Sequence, residues 1–437
     1  MTKTKRNFKP HNKKTKVPQA PATSSTNSKD DSSLPEVEVN PSFVLDGSIL
    51  EGGGQILRNS IALSSLLSKP VRIEKIRYNR DQPGLKAQHK AGVDLVSRMF
   101  KAHTDGVKQG STVLYYHPRI STTNIKDQSI EADTGTAGSI TLLIQIALPC
   151  LLFTPKSTKL DLGGGTNVDF SPAADYLMNV FFPIAKQFGI NSNMEVLKRG
   201  YYPRGGGKVS LITQPIKGTL NPISILKKGN LVKFTIRVFF TSTRISAEVG
   251  DRMLNAARKM IKKDYKKVEI VEELVDTAKY TFGDGCCIFI TAETDTGCLY
   301  GGSANGAIGV PAEKVGEDAA TSILNDLLHG GCMDEYLQDQ LIIFMALAKG
   351  TSQIKTGPIS LHTETSIHFT SLLTGAKFQV KPAEDKQRGE DTFIITCEGV
   401  GFENKSSETK SDEEITEQNG NDDNTSTTTT TTTSSSS

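Results

Sequence analysis

The sequence has no CxxC pair and no apolar run approaching the ~18 residues that span a bilayer. It also has no apolar segment after Met1 of the kind a secretory signal carries. These absences argue against a membrane-spanning helix and against export, so a soluble, intracellular protein with no membrane partner is expected. Six cysteines are present (Cys150, Cys286, Cys287, Cys298, Cys332, Cys397), and only Cys332 has a histidine close by, His329. Buried free thiols explain that pattern better than a zinc site. The hydrophobic content, 36% of 437 residues, is low, but the deficit is uneven. Segments 1–40 and 403–437 hold almost no apolar runs and are expected to be disordered tails, the second acidic and then Thr/Ser-rich. The net charge of +3 says little about partners; its distribution says more. Lys3, Lys5, Arg6, Lys9, Lys13, Lys14 and Lys16 form a basic arm, which reads as a nuclear-localisation or RNA-contacting segment, or as a plain solvated tail.

Between the tails, strand-like and helix-like stretches alternate. A short strand near 43–50 is broken by Glu51-Gly-Gly-Gly54, after which 55–68 reads as a helix with Ile56, Leu57, Ile61, Leu63, Leu66 and Leu67 on a broad apolar face. A strand over 71–78, a helix over 85–103 and a strand over 112–116 follow. A second series places helices at 139–152 and 172–188 and strands near 159–162 and 208–213. This order predicts tandem α/β units. From about 221 the texture changes to a β-α-β-β-α stretch that reads as a smaller α/β domain inserted over 222–330. The expected division is therefore a large repeat domain over 41–221 and 331–402, interrupted by that insert. In the last part, 334–348 is read as a helix, His362 as following a strand-like run, and 368–373 as a further helix.

Three glycines ahead of a helix can offer bare backbone N–H groups to an anion. Glu51-Gly-Gly-Gly-Gln55 has this form, without the Gly-Lys-Ser/Thr of a Walker loop. Alone it is as consistent with a tight turn. Arg58 lies one turn into the helix, Arg77 and Arg80 end the next strand, and Gln88 is on the following helix. Guanidiniums gathered in this way suit bidentate phosphate recognition, although each is also compatible with a solvated surface arginine. Glu51, a carboxylate inside the basic group, makes sense as a ligand to a divalent ion bridging phosphates. Of seven histidines, His89 and His103 are placed on one helix, and His117 and His329 in loops. Neutral imidazole is a capable nucleophile toward phosphorus, but spacing alone does not single out His362.

Seven strings change this. Asp46-Gly-Ser-Ile-Leu-Glu-Gly-Gly-Gly-Gln-Ile-Leu-Arg58, Arg77-Tyr-Asn-Arg80-Asp-Gln-Pro-Gly-Leu85 and Gly135-Thr-Ala-Gly-Ser139 come first. Gly163-Gly-Gly-Thr166, Tyr201-Tyr-Pro-Arg-Gly-Gly-Gly207, Glu335-Tyr-Leu-Gln-Asp-Gln340 and Leu361-His-Thr-Glu-Thr-Ser-Ile-His368 follow. In this order, over about 42–402, the chain resembles the RNA 3′-terminal phosphate cyclase family. The resemblance implies three repeats, each a four-stranded sheet with two helices, like the C-terminal domain of translation initiation factor three, with a smaller α/β domain inserted before the last. It implies ATP as a substrate, a histidyl-AMP intermediate, and conversion of an RNA 3′-phosphate to a 2′,3′-cyclic phosphate. Residue by residue, it puts the nucleophile at His362 and the metal ligand, for magnesium or manganese, at Glu51. It puts phosphate or RNA contacts at Arg58, Arg77, Arg80 and Gln88, and nucleotide contacts at Gln145, Pro172, Tyr176, Tyr336, Asp339 and Gln340. For Tyr336, core contact on an apolar-faced helix is the alternative. By analogy with eukaryotic relatives, a nuclear location is expected.

The rival reading within the same fold is a non-cyclising, cyclase-like ribosome-assembly factor. That branch lacks the histidine and much of the arginine set, which are present here. A pure RNA-binding module is supported by the basic arm and by the basic stretch 258–267, yet needs no carboxylate inside a phosphate-binding turn. A transferase acting on small phosphorylated metabolites would not carry the histidine segment.

Overall fold

A computed structural model describes residues 41–384 and 392–407. The basic arm over 1–40 and most of the acidic, Thr/Ser-rich tail lie outside the described residues. Residues 403–407, expected in the tail, are folded. Glu403–Asn404 pairs antiparallel with Gly218–Thr219, and the Asn404 side chain donates to the carbonyls of Thr154 and Ile216 at 3.3 and 3.0 Å.

The architecture is mixed α/β. Strands Phe43–Asp46, Val71–Glu74, His103–Asp105 and Leu114–His117 form the first sheet. Its first two strands are parallel, the fourth lies beside the second, and the third is at the edge. Parallel neighbours need a crossover, here the helix Gly54–Leu67. Alternation along Val71–Glu74 puts Val71 and Ile73 into the core and Arg72 outside. The same strand order recurs in the sheet of Ser129–Asp133, Thr158–Gly164, Asn191–Gly200 and Gly207–Gln214. It recurs again in the sheet of Ser224–Ile225, Lys349–Thr356, Lys377–Pro382 and Phe393–Val400. One continuous apolar core runs beneath all three.

Between Ser224–Ile225 and the helix Glu335–Leu347 the chain builds a smaller sheet. Its order is Glu269–Asp276, Leu231–Phe240, Cys286–Thr294, Leu299–Asn305. Phe234, Ile236 and Val238 alternate inward from the central strand and meet Met253, Ala257 and Ile261 of the helix Ala247–Asp264. On the helix Ala312–Leu328 they meet Val315, Ala319 and Ile323, spaced by four. This is an apolar cluster of its own. All six cysteines are buried and unbridged. No helix among the described residues is long and apolar enough to cross a membrane.

Three local expectations change. His103 opens a strand rather than closing a helix, because the helix Ala87–Met99 stops at Phe100 and Lys101 turns with φ +46°. Residues 174–188 form short α, π and 3₁₀ turns instead of one helix. His362 lies inside a helix, Leu361–Thr374, that begins seven residues before the expected 368.

Candidate active site

The Glu51 turn is shaped by its glycines. Gly52 has φ +59°, and a Cβ on Gly53 would sit 1.9 Å from a carboxylate oxygen of Glu51, so the Glu51 side chain folds back over bare backbone. Arg80 Nη2 donates to the Glu51 carbonyl at 3.1 Å and pairs with its Oε1. Oε2 of the same carboxylate is buried with no partner among the described residues. A buried, half-satisfied carboxylate is costly, and its open oxygen is a place for a cation.

Arg58 lies one turn further. Its Nη2 donates to Gln55 Oε1, while its Nε is buried with no partner among the described residues. Burial pulls the Arg58 guanidinium below its ordinary pKa, and the nearby carboxylates of Asp339 and Glu51 oppose that. Arg77, expected at phosphate, is turned inward. Its Nη1 donates to the carbonyls of Gln82 and Gly84 at 2.8 and 3.0 Å, so it shapes the loop that presents Arg80. Gln88 accepts from the Ser139 N–H at 3.2 Å, which ties the Gly135–Ser139 turn to this group.

His362 occupies the second position of its helix and is exposed. Ser360 caps that helix by accepting from the Thr363 N–H at 3.2 Å. Three residues after His362, and so on the same helical face, Thr365 Oγ1 accepts the Glu51 N–H at 3.1 Å. The histidine turn and the Glu-Gly-Gly-Gly turn are therefore stitched together although more than 300 residues separate them. The imidazole has no hydrogen bond to the described residues, leaving both ring nitrogens available.

A buried polar chain fixes this arrangement. Gln338 Oε1 accepts from the Ser360 N–H at 3.3 Å and from the Thr363 hydroxyl at 2.8 Å. Asn59 donates to Ser366 Oγ at 2.8 Å, and that hydroxyl donates to the Asp339 carbonyl at 3.2 Å. Three helices are locked in register by this chain, most of whose members fall in the Glu335–Gln340 and Leu361–His368 strings.

Gln145, Gln55, Asp339 and Gln340 line one cavity between the helices Gly54–Leu67, Ile140–Leu151 and Glu335–Leu347. Gln340 donates to the Tyr336 carbonyl at 2.7 Å and leaves its Oε1 without a partner. Burial lifts the Asp339 carboxyl to about 7, with Glu335, Asp334 and Glu51 adding to the rise and Arg58 opposing it. Tyr336 is partly exposed and meets Tyr176 edge-to-face, ring centres 5.8 Å apart. Tyr176 itself is buried, with its hydroxyl donating to Asp334 Oδ1 at 2.6 Å. Pro172 is buried too, its carbonyl accepting from the Thr141 hydroxyl at 2.8 Å. These two stand behind the cavity rather than open to it.

His89 escaped the sequence reading. Its Nδ1 accepts the Lys86 N–H at 3.1 Å, and its Nε2 is 2.6 Å from where a Cβ on Gly54 would be. Burial, then Arg58, Arg77 and Lys86, push its pKa down to about 3, so it is neutral at physiological pH. The available signal was its place directly after Gln88, one helix beyond the arginine loop.

Guanidiniums, a carboxylate with one open oxygen and an uncommitted imidazole at a helix start, on an α/β frame, are groups suited to chemistry at phosphorus. The comparisons agree. A sequence model of the family described as RNA 3′-terminal phosphate cyclase matches residues 49–380. A probable RNA 3′-terminal phosphate cyclase of Dictyostelium discoideum is 63% identical over 367 residues, covering 84% of this chain and 84% of the relative. RNA 3′-terminal phosphate cyclases of Desulfurococcus amylolyticus (38% identical, 82% of this chain, 98% of the relative) and Drosophila melanogaster (36% identical, 83% and 97%) are similar along nearly their whole length. The chain belongs to the RNA 3′-terminal phosphate cyclase family, and stands with its cyclases rather than with the non-cyclising branch.

Proposed function

We propose that the protein uses ATP to convert an RNA 3′-phosphate into a 2′,3′-cyclic phosphate, with His362 carrying the adenylate. The observation that supports this most is the Thr365–Glu51 hydrogen bond, because it ties the helix turn that carries His362 to the turn that carries the Glu51–Arg80 pair. An imidazole nitrogen bonds to the α-phosphorus of ATP as the bond to the β-phosphate oxygen breaks and pyrophosphate leaves. An oxygen of the RNA 3′-phosphate then attacks the same phosphorus, with imidazole as the leaving group. Last, the neighbouring 2′-oxygen attacks the 3′-phosphorus, losing its proton and expelling AMP. Arg58 and Arg80 neutralise charge that develops on the phosphates, and the start of the His362 helix adds to it. Gln145, Asp339 and Gln340 would hold the adenosine, with the exposed face of Tyr336 offering a stacking surface.

Glu51 fits a divalent cation, magnesium or manganese, through its unpartnered Oε2; when bound, the ion would neutralise phosphate oxygens. Among the described residues no three His, Cys, Asp or Glu side chains converge, so phosphates would have to complete the donor set. The test is end analysis of a 3′-phosphorylated oligoribonucleotide. With ATP and a divalent metal, its end becomes resistant to phosphatase as AMP and pyrophosphate appear in equal amounts. An end that stays phosphatase-sensitive contradicts the reading.

A further inference from the structure

The Tyr201-Tyr-Pro-Arg-Gly-Gly-Gly207 segment takes no part in the chemistry above, yet its surroundings are unusual for an idle turn. It leaves the second sheet where Tyr201 bridges Asn167, and the 168–172 loop starts from the same bridge. Each carries an aromatic ring into solvent: Tyr202 is 79% exposed and Phe170 101%. Phe170 also holds φ +60°, a backbone region that is costly for a bulky side chain. Beside them, Thr281–Phe282 pairs in parallel with Arg199 and Gly200. Phe282 lies where a Cβ on Gly206 would be, and Tyr280 precedes it, both rings exposed. Six Phe and Tyr rings are exposed among the described residues: Tyr78 is next to Arg77, Tyr336 is on the helix Glu335–Leu347, and the other four belong to this rim.

The rim's charge is positive. Lys198 and Lys208 lie directly opposite each other in the antiparallel pair Asn191–Gly200/Gly207–Gln214, where like charges repel. Among the described residues neither has an ion-pair partner; Lys198 Nζ sits 4.8 Å over the Phe282 ring. Arg204 is exposed between the two strands, laid across Gly283, also without an acidic partner among the described residues. The carboxylate in that cross-strand row, Asp133, folds over Gly163 and accepts the Gly135 N–H at 2.7 Å. The rim is also continuous with the reaction site. A Cβ on Gly205 would be 2.4 Å from the Thr136 carbonyl, and that turn ends at Ser139, bonded to Gln88.

We propose that this rim is the track on which single-stranded RNA lies upstream of its reacting 3′ end. Unpaired bases stack on Tyr202 and Phe170, while Lys198, Arg204 and Lys208 take phosphates. Exposed rings interleaved with unpaired cations suit a strand that offers flat apolar faces and one negative charge per nucleotide. The inference rests on the RNA-cyclase reading above.

The test is fluorescence anisotropy of the full chain, without ATP, against a labelled 3′-phosphorylated oligoribonucleotide of about 12 nucleotides. A 3′-phosphorylated trinucleotide serves as the short comparison. The double variants Tyr202→Ala/Phe170→Ala and Lys198→Glu/Lys208→Glu are expected to weaken Kd for the long RNA about tenfold or more. The lysine variant should also flatten the salt dependence, and neither should weaken the trinucleotide. Unchanged Kd values for the long RNA, as a protein-binding face would give, overturn the proposal, and so does an equal loss for both lengths. Uptake of AMP from labelled ATP is read separately in the same preparations. It needs no RNA, so its absence in the parent chain would count against the cyclase reading while the binding comparison still decides on the rim.

Discussion

The inserted sheet and the Glu51–His362 site treat polar groups in opposite ways. Within 231–328 several long charged side chains of the sheet and its helices are paired. Arg237 is forked onto Glu273 and also reaches Asn179, Arg258 meets Glu272, and Arg252 is forked onto Glu313. None of the nine buried side-chain polar atoms found without a partner among the described residues falls in that stretch. Three of the nine belong to the candidate site instead: Glu51 Oε2 and Arg58 Nε at the glycine turn, and Gln340 Oε1 at the cavity. The insert is satisfied as folded, whereas the site keeps buried polar atoms that a charged, hydrogen-bonding ligand would satisfy. Polar groups left open at that cost are what a preorganised phosphate site requires.

Predictions that separate the two regions follow in order of size. Phe234→Ala empties the centre of the insert's apolar cluster and should lower stability by about 3–5 kcal/mol. Adenylylation per folded molecule should stay the same; calorimetry with active-site titration checks both, and a proportional loss of activity would show that the insert shapes the site. Arg80→Ala should do the reverse. Adenylate transfer to RNA falls about a hundredfold, while thermal unfolding shifts by less than in Phe234→Ala, about 1–3 kcal/mol, because Arg80 is partly solvated but its loss leaves the buried Glu51 carboxylate without its partner. Comparable losses in both would mean that Arg80 chiefly holds the Glu51 turn.

The smallest effect concerns His89. Its folded pKa, about 3, lies below the ordinary histidine value of 6.5, so the unfolded chain takes up the extra proton. Stability is therefore unaffected above pH 6.5 and declines as pH falls from 6.5 toward 3. His89→Gln, which keeps an acceptor for the Lys86 N–H, should lose less stability than the parent between pH 7 and pH 5. Identical pH profiles would place the acid sensitivity elsewhere.

Much of the frame was legible because it follows from local pattern. The apolar face Ile56, Leu57, Ile61, Leu63 sets the helix after the glycines, and the spacing of Val315, Ala319 and Ile323 sets a helix in the insert. The His362 helix was misjudged at its start, since Pro358 and a short strand-like run hid a Ser360 cap that only the Thr363 N–H reveals. What could not be read was long-range. Asn59 to Ser366 and Glu51 to Thr365 join residues more than 300 positions apart, and Asn59 lies outside every motif string. Arg77 looks like Arg80 on paper. Only the fold shows one turned onto backbone carbonyls and the other onto Glu51.

The central claim is that the imidazole of His362 is the group that takes AMP. The most direct measurement is to incubate the full chain with ATP and a divalent metal, without RNA, and to locate the adenylate by tandem mass spectrometry under alkaline conditions. The account predicts one acid-labile adenylate on His362, and none anywhere on the His362→Ala chain. An adenylate on another side chain, or equal labelling of the alanine variant, would contradict it.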